Sequence, residues 1–291
     1  MRYEGPIYRP PSEADSLLIQ ATVGCPHNKC TFCMVYKDGT PFKIRPTAEI
    51  KADLEEARQV YGRQVRTIFF PAGNTIAMPT PALAEICRHS RRLFPQAQRL
   101  TVYGSAQYLQ QKGPDKLRLL AEAGLSRIHV GLESGDDEIL ARIRKGSTRQ
   151  VQLTAGRLVR QAGLELSEYV ILGLGGQERT REHAAATSSA INAIGPHFLR
   201  LRTFVPKVNT PLLREVLEGR FLMLSPHGVI RETIALLAGI TVPTQVVSDH
   251  YTNYVNVQGR WPQDKDTILA TLEAALVRPE TEFRPFFVGR H

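Results

Sequence analysis

The chain has 291 residues, of which 42% are hydrophobic, and its formal net charge at pH 7 is +9. This length allows one large domain with its own core, and the basic charge favours anionic partners such as tRNA, phosphorylated metabolites or acidic electron-donor proteins. The polar N-terminal segment does not resemble a secretory signal peptide, and no segment approaches the roughly 18 apolar residues of a membrane span. We therefore expect a cytoplasmic protein that does not enter a membrane.

Strands and helices alternate along the first two thirds of the sequence. Short apolar runs predict strands, and segments with apolar residues at helical spacing predict the helices between them. The predicted strands are Leu17–Thr22, Thr67–Phe70, Leu100–Tyr103, Arg127–Val130, Tyr169–Leu172 and Phe198–Thr203. The predicted helices include Thr47–Tyr61, Pro81–Phe94, Asp115–Ala123 and Arg179–Ile194. This alternation predicts a parallel sheet with right-handed crossovers.

Three of the four cysteines lie close together, directly after the first predicted strand. They are Cys25, Cys30 and Cys33, in the spacing C-x4-C-x2-C. Three thiolates can hold three irons of a 4Fe-4S cube and leave the fourth iron open, whereas an ordinary buried cluster takes four cysteine ligands. Because His27 lies between them, a structural zinc site of the Cys3His type is a second interpretation. Three clustered cysteines cannot pair evenly, which disfavours disulfides.

Polar and glycine-rich turns follow the other predicted strands. These turns contain Gly73 and Asn74, then Gly104, Ser105 and Gln107, then Glu133, and finally Gly173, Leu174, Gly175 and Gly176. In parallel barrels the chemistry lies at the carboxyl ends of the strands, where the cysteine loop is also expected. The carboxylate of Glu133 can accept hydrogen bonds from a ribose diol or an ammonium group. The alternative is that Glu133 stabilises a helix N-terminus and that the other turns are ordinary solvated loops.

The cysteine spacing, with the aromatic Phe32 before the last cysteine, resembles the signature of radical S-adenosylmethionine (SAM) enzymes. The commonest spacing in that family is C-x3-C-x2-C, so this chain has one additional residue. A second segment, residues 129–136 with the sequence HVGLESGD, resembles the fourth-strand motif of one subfamily. That subfamily contains oxygen-independent coproporphyrinogen oxidase, the Elongator catalytic subunit and the methylthiotransferases. Leu140, Lys145 and Thr148 continue the match.

The resemblance implies an α/β fold, a partial (β/α)6 TIM-like barrel in residues 1–206, with a C-terminal extension, residues 207–291, that covers the barrel mouth. It implies a 4Fe-4S cluster on Cys25, Cys30 and Cys33 and SAM on the open iron. Reductive cleavage of SAM then gives a 5'-deoxyadenosyl radical, which abstracts hydrogen from a substrate. We expect an oxygen-sensitive enzyme with an electron donor of the flavodoxin or ferredoxin type.

The resemblance also implies which residues bind SAM. They are Phe32, Gly73, Asn74, Ser105, Glu133, Gly173, Leu174 and Gly175. Many members have Gly-Gly-Glu after the second strand, where the acid meets the methionine amino group. Asn74 replaces that acid and is a weaker acceptor. Cys87 lies on the apolar side of a predicted helix, which indicates core packing. No cysteine is then left for a second cluster, which weighs against methylthiotransferase and maturase subtypes.

The C-terminal third contains the candidates for contact with the substrate. A histidine beside an aspartate, such as His250 beside Asp249, can have a pKa near neutrality and act as a base. Tyr254 lies in the same polar and aromatic segment, which would present a base or a hydrogen-atom relay. Of Arg200 and Arg202 on the sixth predicted strand, one can pair with a substrate carboxylate or phosphate, and Arg202 is the candidate. The alternative for this segment is a polar turn between helices.

Three questions stay open at this point. The substrate can be a small molecule or a tRNA, and the sequence does not determine the oligomeric state. Because the subfamily includes haem chaperones with the same cysteine loop, a non-catalytic haem- or cluster-handling protein is a second function class. A zinc-stabilised RNA-binding protein is the third.

Overall fold

The computed structural model describes residues 1–35, 37, 39 and 41–289. Its strands in chain order are β1 (Leu17–Leu18), β2 (Thr22–Val23), β3 (Lys43–Ile44), β4 (Thr67–Phe70), β5 (Arg99–Gly104), β6 (Arg127–Glu133), β7 (Glu165–Leu172), β8 (Phe198–Thr203), β9 (Thr244–Val247) and β10 (Gln258–Trp261). An eight-stranded sheet has the order β1-β4-β5-β6-β7-β8-β9-β10, and β2 pairs with β3 in a separate two-stranded sheet. Strands β1, β4, β5 and β6 are parallel, as are β7, β8 and β9, whereas β10 is antiparallel to β9. The predicted mainly parallel α/β fold is confirmed.

Helices lie between the strands along the chain, and one more follows the last strand. They are α1 (Thr47–Tyr61), α2 (Thr80–Leu93), α3 (Ala106–Glu122), α4 (Asp137–Arg142), α5 (Arg149–Gln161), α6 (Thr180–Ile194), α7 (Pro211–Leu217), α8 (Pro226–Ala238) and α9 (Lys265–Ala275). Helix α3 starts nine residues earlier than predicted, and it contains a break at Gly113, which has a φ of 71°. Among the described residues, no helix is both long and apolar enough to cross a membrane.

The chain divides into two compact units. The first comprises Met1–Asn28, Val35–Val130 and Thr154–Leu166, and the second comprises Lys29–Met34, Gly131–Leu153 and Ser167–His291. In the first unit, Ile68, Phe69 and Phe70 of β4 are fully buried. Such a continuous apolar run is typical of a parallel strand that is covered on both faces. Burying each phenylalanine side chain contributes about 2 kcal/mol to folding.

A buried polar network lies in the first unit around Glu13. The Glu13 carboxylate accepts hydrogen bonds from Ser16 at 2.6 Å and from Arg99 at 3.0 Å, and it lies 3.2 Å from the ring of His129. Burial opposes the ionisation of Glu13, but hydrogen bonds from His129, Ser16 and Arg99 outweigh it and lower the pKa to about 2. The network therefore anchors the N-terminal segment by a charged group.

The ends of the sheet differ from the predicted elements. The predicted first strand is divided, because Leu17–Leu18 pairs with β4 while Thr22–Val23 pairs with β3. In the second unit, β9 lies parallel to β8, and β10 follows it. The predicted C-terminal extension, residues 207–291, therefore adds two strands to the sheet, which the sequence pattern did not indicate. The last two residues of that range lie outside the described residues.

Candidate functional site

The start of the cysteine loop lies beside the turn that follows β4. The backbone N–H of Gly73 donates to the carbonyl of Gly24 at 3.1 Å, directly before Cys25. Cys25 is free and half-buried. The pKa of Tyr108 is raised by burial and by the charge of Cys25. The first unit therefore brings two predicted site residues, Cys25 and Gly73, together.

Two further predicted residues of the first unit, Asn74 and Ser105, are hydrogen-bonded to each other. The Asn74 amide donates to Ser105 Oγ at 2.9 Å, and Asn74 Oδ1 accepts from the Ser105 backbone N–H at 3.2 Å. Asn74 is 1% exposed. One lone pair of its amide oxygen is therefore engaged within the protein, and an amide oxygen has a second one. The sequence indicated these residues separately but not their mutual contact.

The end of the cysteine loop is anchored within the second unit. Thr31 donates its backbone N–H to Ile143 at 2.9 Å and accepts one from Leu212 at 3.1 Å. The ring of Phe32 packs against a buried apolar cluster. That cluster consists of Ile139, Leu140, Ile143, Leu174, Phe204, Leu212 and Phe221. Phe32 and Leu174, both predicted to bind SAM, therefore share a packing role that fixes the loop.

The thiols of the loop differ from the fourth thiol in exposure. Cys30 and Cys33 are half-buried, like Cys25, whereas Cys87 is buried. Burial raises the pKa of Cys87 to about 12, which makes it an inert core residue, as predicted. Within the described part of the chain, no three His, Cys, Asp or Glu side chains are arranged as a metal site. Three accessible thiols on one loop nevertheless have the donor chemistry of an iron–sulfur cluster. Their assignment to the cluster stays a prediction.

The turn after β6 presents Glu133 in an unusual backbone conformation. Its φ is 63°, in the left-handed region that non-glycine residues rarely adopt. Its carboxylate accepts a hydrogen bond from Lys145 Nζ at 2.8 Å. A Cβ at Gly131 would lie 2.1 Å from this carboxylate, so a larger residue there would displace the Glu133 side chain from this position. Glu133 therefore has a charged partner, Lys145. The sequence motif contained both residues but did not indicate that they pair.

The following residues fasten this turn to α6. Gly135 donates its backbone N–H to Thr187 Oγ1 at 2.9 Å, and a Cβ at Gly135 would lie 2.2 Å from the carbonyl oxygen of Ala186. Asp136 is the N-cap of α4 and accepts from the Ile139 N–H at 2.9 Å. The helix-stabilising role that was the alternative for Glu133 thus belongs to Asp136.

The turn after β7 is shaped by contacts within the second unit. Gly173 has a φ of 77° and donates its N–H to Glu232 Oε1 at 2.6 Å. A Cβ at Gly175 would lie 2.9 Å from the carbonyl oxygen of Arg179, and one at Gly176 would lie 2.9 Å from that of Leu222. Close packing of the chain on itself therefore requires glycine at both positions, whatever ligand this turn binds.

Sequence reasoning missed an acid on β7. Glu168 is 1% exposed, and neither carboxylate oxygen has a hydrogen-bond partner among the described residues. Burial raises its pKa to about 8, with Lys145 opposing the rise and Glu133 adding to it. One local signal was present, because Glu168 interrupts the apolar positions Leu166 and Val170 along one face of the strand.

The C-terminal candidates are only partly brought together. His250 contacts the guanidinium of Arg202 and lies 2.7 Å from Thr252 Oγ1. Burial, followed by the positive charges of Arg202 and Lys207, lowers the pKa of His250 to about 3. The expectation of a pKa near neutrality, set by Asp249, is therefore wrong, because the histidine is half-buried and faces positive charge.

The other two candidates, Asp249 and Tyr254, have different surroundings. Asp249 is exposed. The ring of Tyr254 packs under the Arg284 guanidinium, 4.2 Å from the ring centre, and edge-on to Phe283 at 5.9 Å. Tyr254 thus packs against other side chains of the protein, and its role toward a substrate stays a prediction.

Comparison with known proteins identifies the family. A model described as the radical SAM superfamily matches residues 19–186, more than half of the chain. The tRNA-2-methylthio-N(6)-dimethylallyladenosine synthase of Sorangium cellulosum is 27% identical over 227 residues, which cover 70% of this chain and 44% of that protein. The chain spans between 22% and 44% of the lengths of four curated relatives.

Two solved structures share the fold. Coproporphyrinogen III oxidase (HemN) from Escherichia coli has a TM-score of 0.55 and 18% identity, over 77% of this chain and 52% of that one. Elp3 from the archaeon Methanocaldococcus infernus has a TM-score of 0.53 and 15% identity, over 81% of this chain and 60% of that one. The predicted fold class, an α/β partial TIM-like barrel, and the predicted subfamily likeness are confirmed. The chain belongs to the radical SAM superfamily.

Proposed function

We propose that this chain is an enzyme that uses a 4Fe-4S cluster and SAM to abstract hydrogen from a substrate. The observation that carries the proposal is the loop of Cys25, Cys30 and Cys33 in a chain that the radical SAM family model matches. When bound, the cluster supplies the electron for the reductive cleavage of SAM. The protein then has to hold both groups, exclude water and position one C–H bond of the substrate.

The three loop thiols would hold the cluster. Their half-buried state leaves them accessible to iron, and the loop is held at both ends, by the Gly73–Gly24 hydrogen bond and by the contacts of Thr31. Cysteine ligates as the thiolate, so binding releases protons. The proposed cluster site is therefore supported by the three thiol donors and by the hydrogen bonds that hold the loop.

The turns after β6 and β7 would hold SAM. The Glu133 carboxylate and the Lys145 ammonium, 2.8 Å apart, offer an acceptor and a donor. These groups complement the ribose diol, ammonium and carboxylate of SAM. Gly173, Leu174 and Gly175 would bring the backbone of the second turn close to the nucleoside, while Phe32, Gly73, Asn74 and Ser105 complete the proposed set.

The C-terminal residues 207–291 would cover the barrel mouth and provide the substrate contacts. Arg202 is exposed and charged, and the low pKa of His250 keeps its imidazole neutral at physiological pH. A cation beside a neutral imidazole suits an anionic substrate group. Asp249 and Tyr254 are the further candidates. An electron donor of the flavodoxin or ferredoxin type and a cytoplasmic location complete the proposal.

Cysteine variants test the proposal directly. Protein prepared and reconstituted without air should be brown, contain about four irons and four sulfides per chain, and release 5'-deoxyadenosine from SAM with a reductant. Replacing Cys25, Cys30 or Cys33 by Ala should abolish this release and lower the iron content. Cys87→Ala should retain both, which makes it the matched control.

Three outcomes would contradict the proposal. Normal SAM cleavage in the cysteine variants would remove the cluster assignment. Colourless protein with stoichiometric zinc would favour the zinc-stabilised RNA-binding protein. Haem binding without 5'-deoxyadenosine release would favour the haem- or cluster-handling protein.

A further inference from the structure

A buried histidine–glutamate pair joins the two turns that the proposed function assigns to SAM. His183 in α6 and Glu232 in α8 have fully buried side chains, and His183 Nδ1 lies 3.1 Å from Glu232 Oε1. His183 Nε2 lies 3.3 Å from the carbonyl oxygen of Glu133, and Glu232 Oε1 accepts the N–H of Gly173 at 2.6 Å. A chain of hydrogen bonds therefore runs from the turn after β6 to the turn after β7.

The partners of this pair determine its protonation state. A backbone carbonyl and a carboxylate only accept, so both imidazole nitrogens of His183 must donate, which makes it an imidazolium. The second oxygen of Glu232, Oε2, accepts from the Thr180 hydroxyl at 2.6 Å. Burial opposes charge on both groups, but each partner's charge outweighs it, raising the pKa of His183 and lowering that of Glu232. The pair is an ion pair that water does not reach.

Stability alone does not account for such a pair. Taking two charges out of water is costly, and well-packed apolar residues are often as stabilising as a buried ion pair. The two backbone groups that the pair holds belong to residues with positive φ, 63° at Glu133 and 77° at Gly173. A non-glycine residue in this region costs on the order of 1–3 kcal/mol and persists only where its surroundings hold it there. The pair thus helps to hold the Glu133 backbone in a conformation that a non-glycine residue does not favour by itself.

We propose that the His183–Glu232 ion pair is a positioning element that sets the backbone at Glu133 and Gly173 for SAM. SAM affinity then depends on the pair, whereas cluster assembly on the cysteine loop does not. This inference rests on the proposed function, because it takes both turns as SAM-binding. His183 and Glu232 themselves are not catalytic, since their polar atoms are satisfied within the protein.

The test compares SAM affinity with cluster content. Glu232→Gln keeps the size of the side chain and removes its charge. The His183 imidazole then lacks the negative charge that stabilises its second proton. In anaerobically reconstituted protein, equilibrium dialysis with labelled SAM should show at least about tenfold weaker binding, the order of one hydrogen bond to a charged group. Iron content, sulfide content and the visible spectrum should equal those of the wild type.

A second buried glutamate–histidine contact provides the matched control. Glu13 is fully buried and lies 3.2 Å from His129, but its other hydrogen bonds are to Ser16 and Arg99. Glu13→Gln should lower the free energy of unfolding and leave SAM affinity unchanged. A general loss of stability would instead weaken SAM binding in both variants, and that result would overturn the positioning role.

Other outcomes also separate the two proposals. A folded Glu232→Gln variant that binds SAM as tightly as the wild type, or one that loses its iron, overturns the positioning role alone. If Glu232→Gln does not fold, Thr180→Val decides. It removes one hydrogen bond to Glu232 and should weaken SAM binding about threefold, and unchanged affinity would overturn the inference. Wild-type protein without iron and without SAM binding would refute the proposed function itself.

Discussion

The charge of a titratable residue in this protein depends on its burial and on the charges beside it. Glu168 and His250 are both titratable, yet both are neutral at physiological pH. Burial raises the pKa of the acid to about 8, and burial together with nearby cations lowers that of the histidine to about 3. His183 is buried as well but has Glu232 as a partner, so it is charged. The difference lies in whether an opposite charge replaces the lost water.

The raised pKa of Glu168 predicts that the free energy of unfolding depends on pH. Its folded-state pKa, about 8, lies above the usual value of 4.5, so folding retains a proton that the unfolded chain releases. The stability that this group contributes is full below about pH 4.5 and is lost as the pH rises through about 8. Glu168→Gln should remove this loss and be more stable than the wild type at pH 9, by on the order of 2 kcal/mol.

Chemical denaturation at several pH values checks the effect of Glu168→Gln. The contribution of His183 is common to both proteins and cancels in their difference. Glu165→Gln, on the same strand but 42% exposed in its side chain, is the control and should not change the slope in this range. Equal pH dependence of the Glu168→Gln variant and the wild type would show that Glu168 is ionised in the folded protein.

At the scale of elements, the position of the β6 turn depends on how closely it approaches α6. Gly135 packs so tightly that a methyl group would lie 2.2 Å from the carbonyl oxygen of Ala186. A backbone atom cannot move aside as a flexible side chain can. The turn that carries Glu133 is therefore located by a steric contact, by the Gly135–Thr187 hydrogen bond and by His183.

Gly135→Ala tests this contact. The added methyl group should push the turn away from α6, lowering the free energy of unfolding by roughly 1–3 kcal/mol, the usual cost of overpacking, and weakening SAM binding. Gly39→Ala is the control, because no atom of the described residues outside its chain neighbours lies within 4 Å of a Cβ at that position. Denaturation midpoints and SAM dialysis measure both effects. A Gly135→Ala variant with the stability of the Gly39→Ala control would contradict the close packing.

At the scale of the whole molecule, the net charge of +9 bears on the substrate class. A tRNA is the second candidate beside a small molecule, and this positive charge favours it. Binding to phosphates releases counterions, so it weakens steeply as salt rises. A small substrate with a single anionic group would show a much weaker salt dependence.

Salt-dependent tRNA binding distinguishes the two substrate classes. If tRNA is the substrate, its affinity should fall by roughly 100-fold between 50 and 200 mM salt, the loss expected for about four phosphate contacts. It should also stimulate 5'-deoxyadenosine release, which a DNA duplex of similar length should not do. Fluorescence anisotropy and product assays measure these effects. Equal binding of both nucleic acids without stimulation would indicate a small-molecule substrate and an unspecific basic surface.

Much of the fold could be predicted because its signals are local. Helix Thr47–Tyr61 and strands Thr67–Phe70 and Phe198–Thr203 have the predicted bounds, since their apolar residues recur at helical or strand spacing. The strands at Thr244–Val247 and Gln258–Trp261 were missed. They are four residues long with mixed polarity, and they are stabilised by pairing with distant residues and not by a pattern of their own.

The sequence by itself determined the cysteine loop, the alternation of strands and helices and the family, because spacing along the chain specifies all three. Only the tertiary structure decided that His183 and Glu232 connect the turns of Glu133 and Gly173, that Glu168 is neutral, and that Arg202 is exposed while Arg200 is buried. These contacts join residues 49 to 59 positions apart. A side chain's partners and its loss of water depend on such long-range packing, which no local pattern encodes.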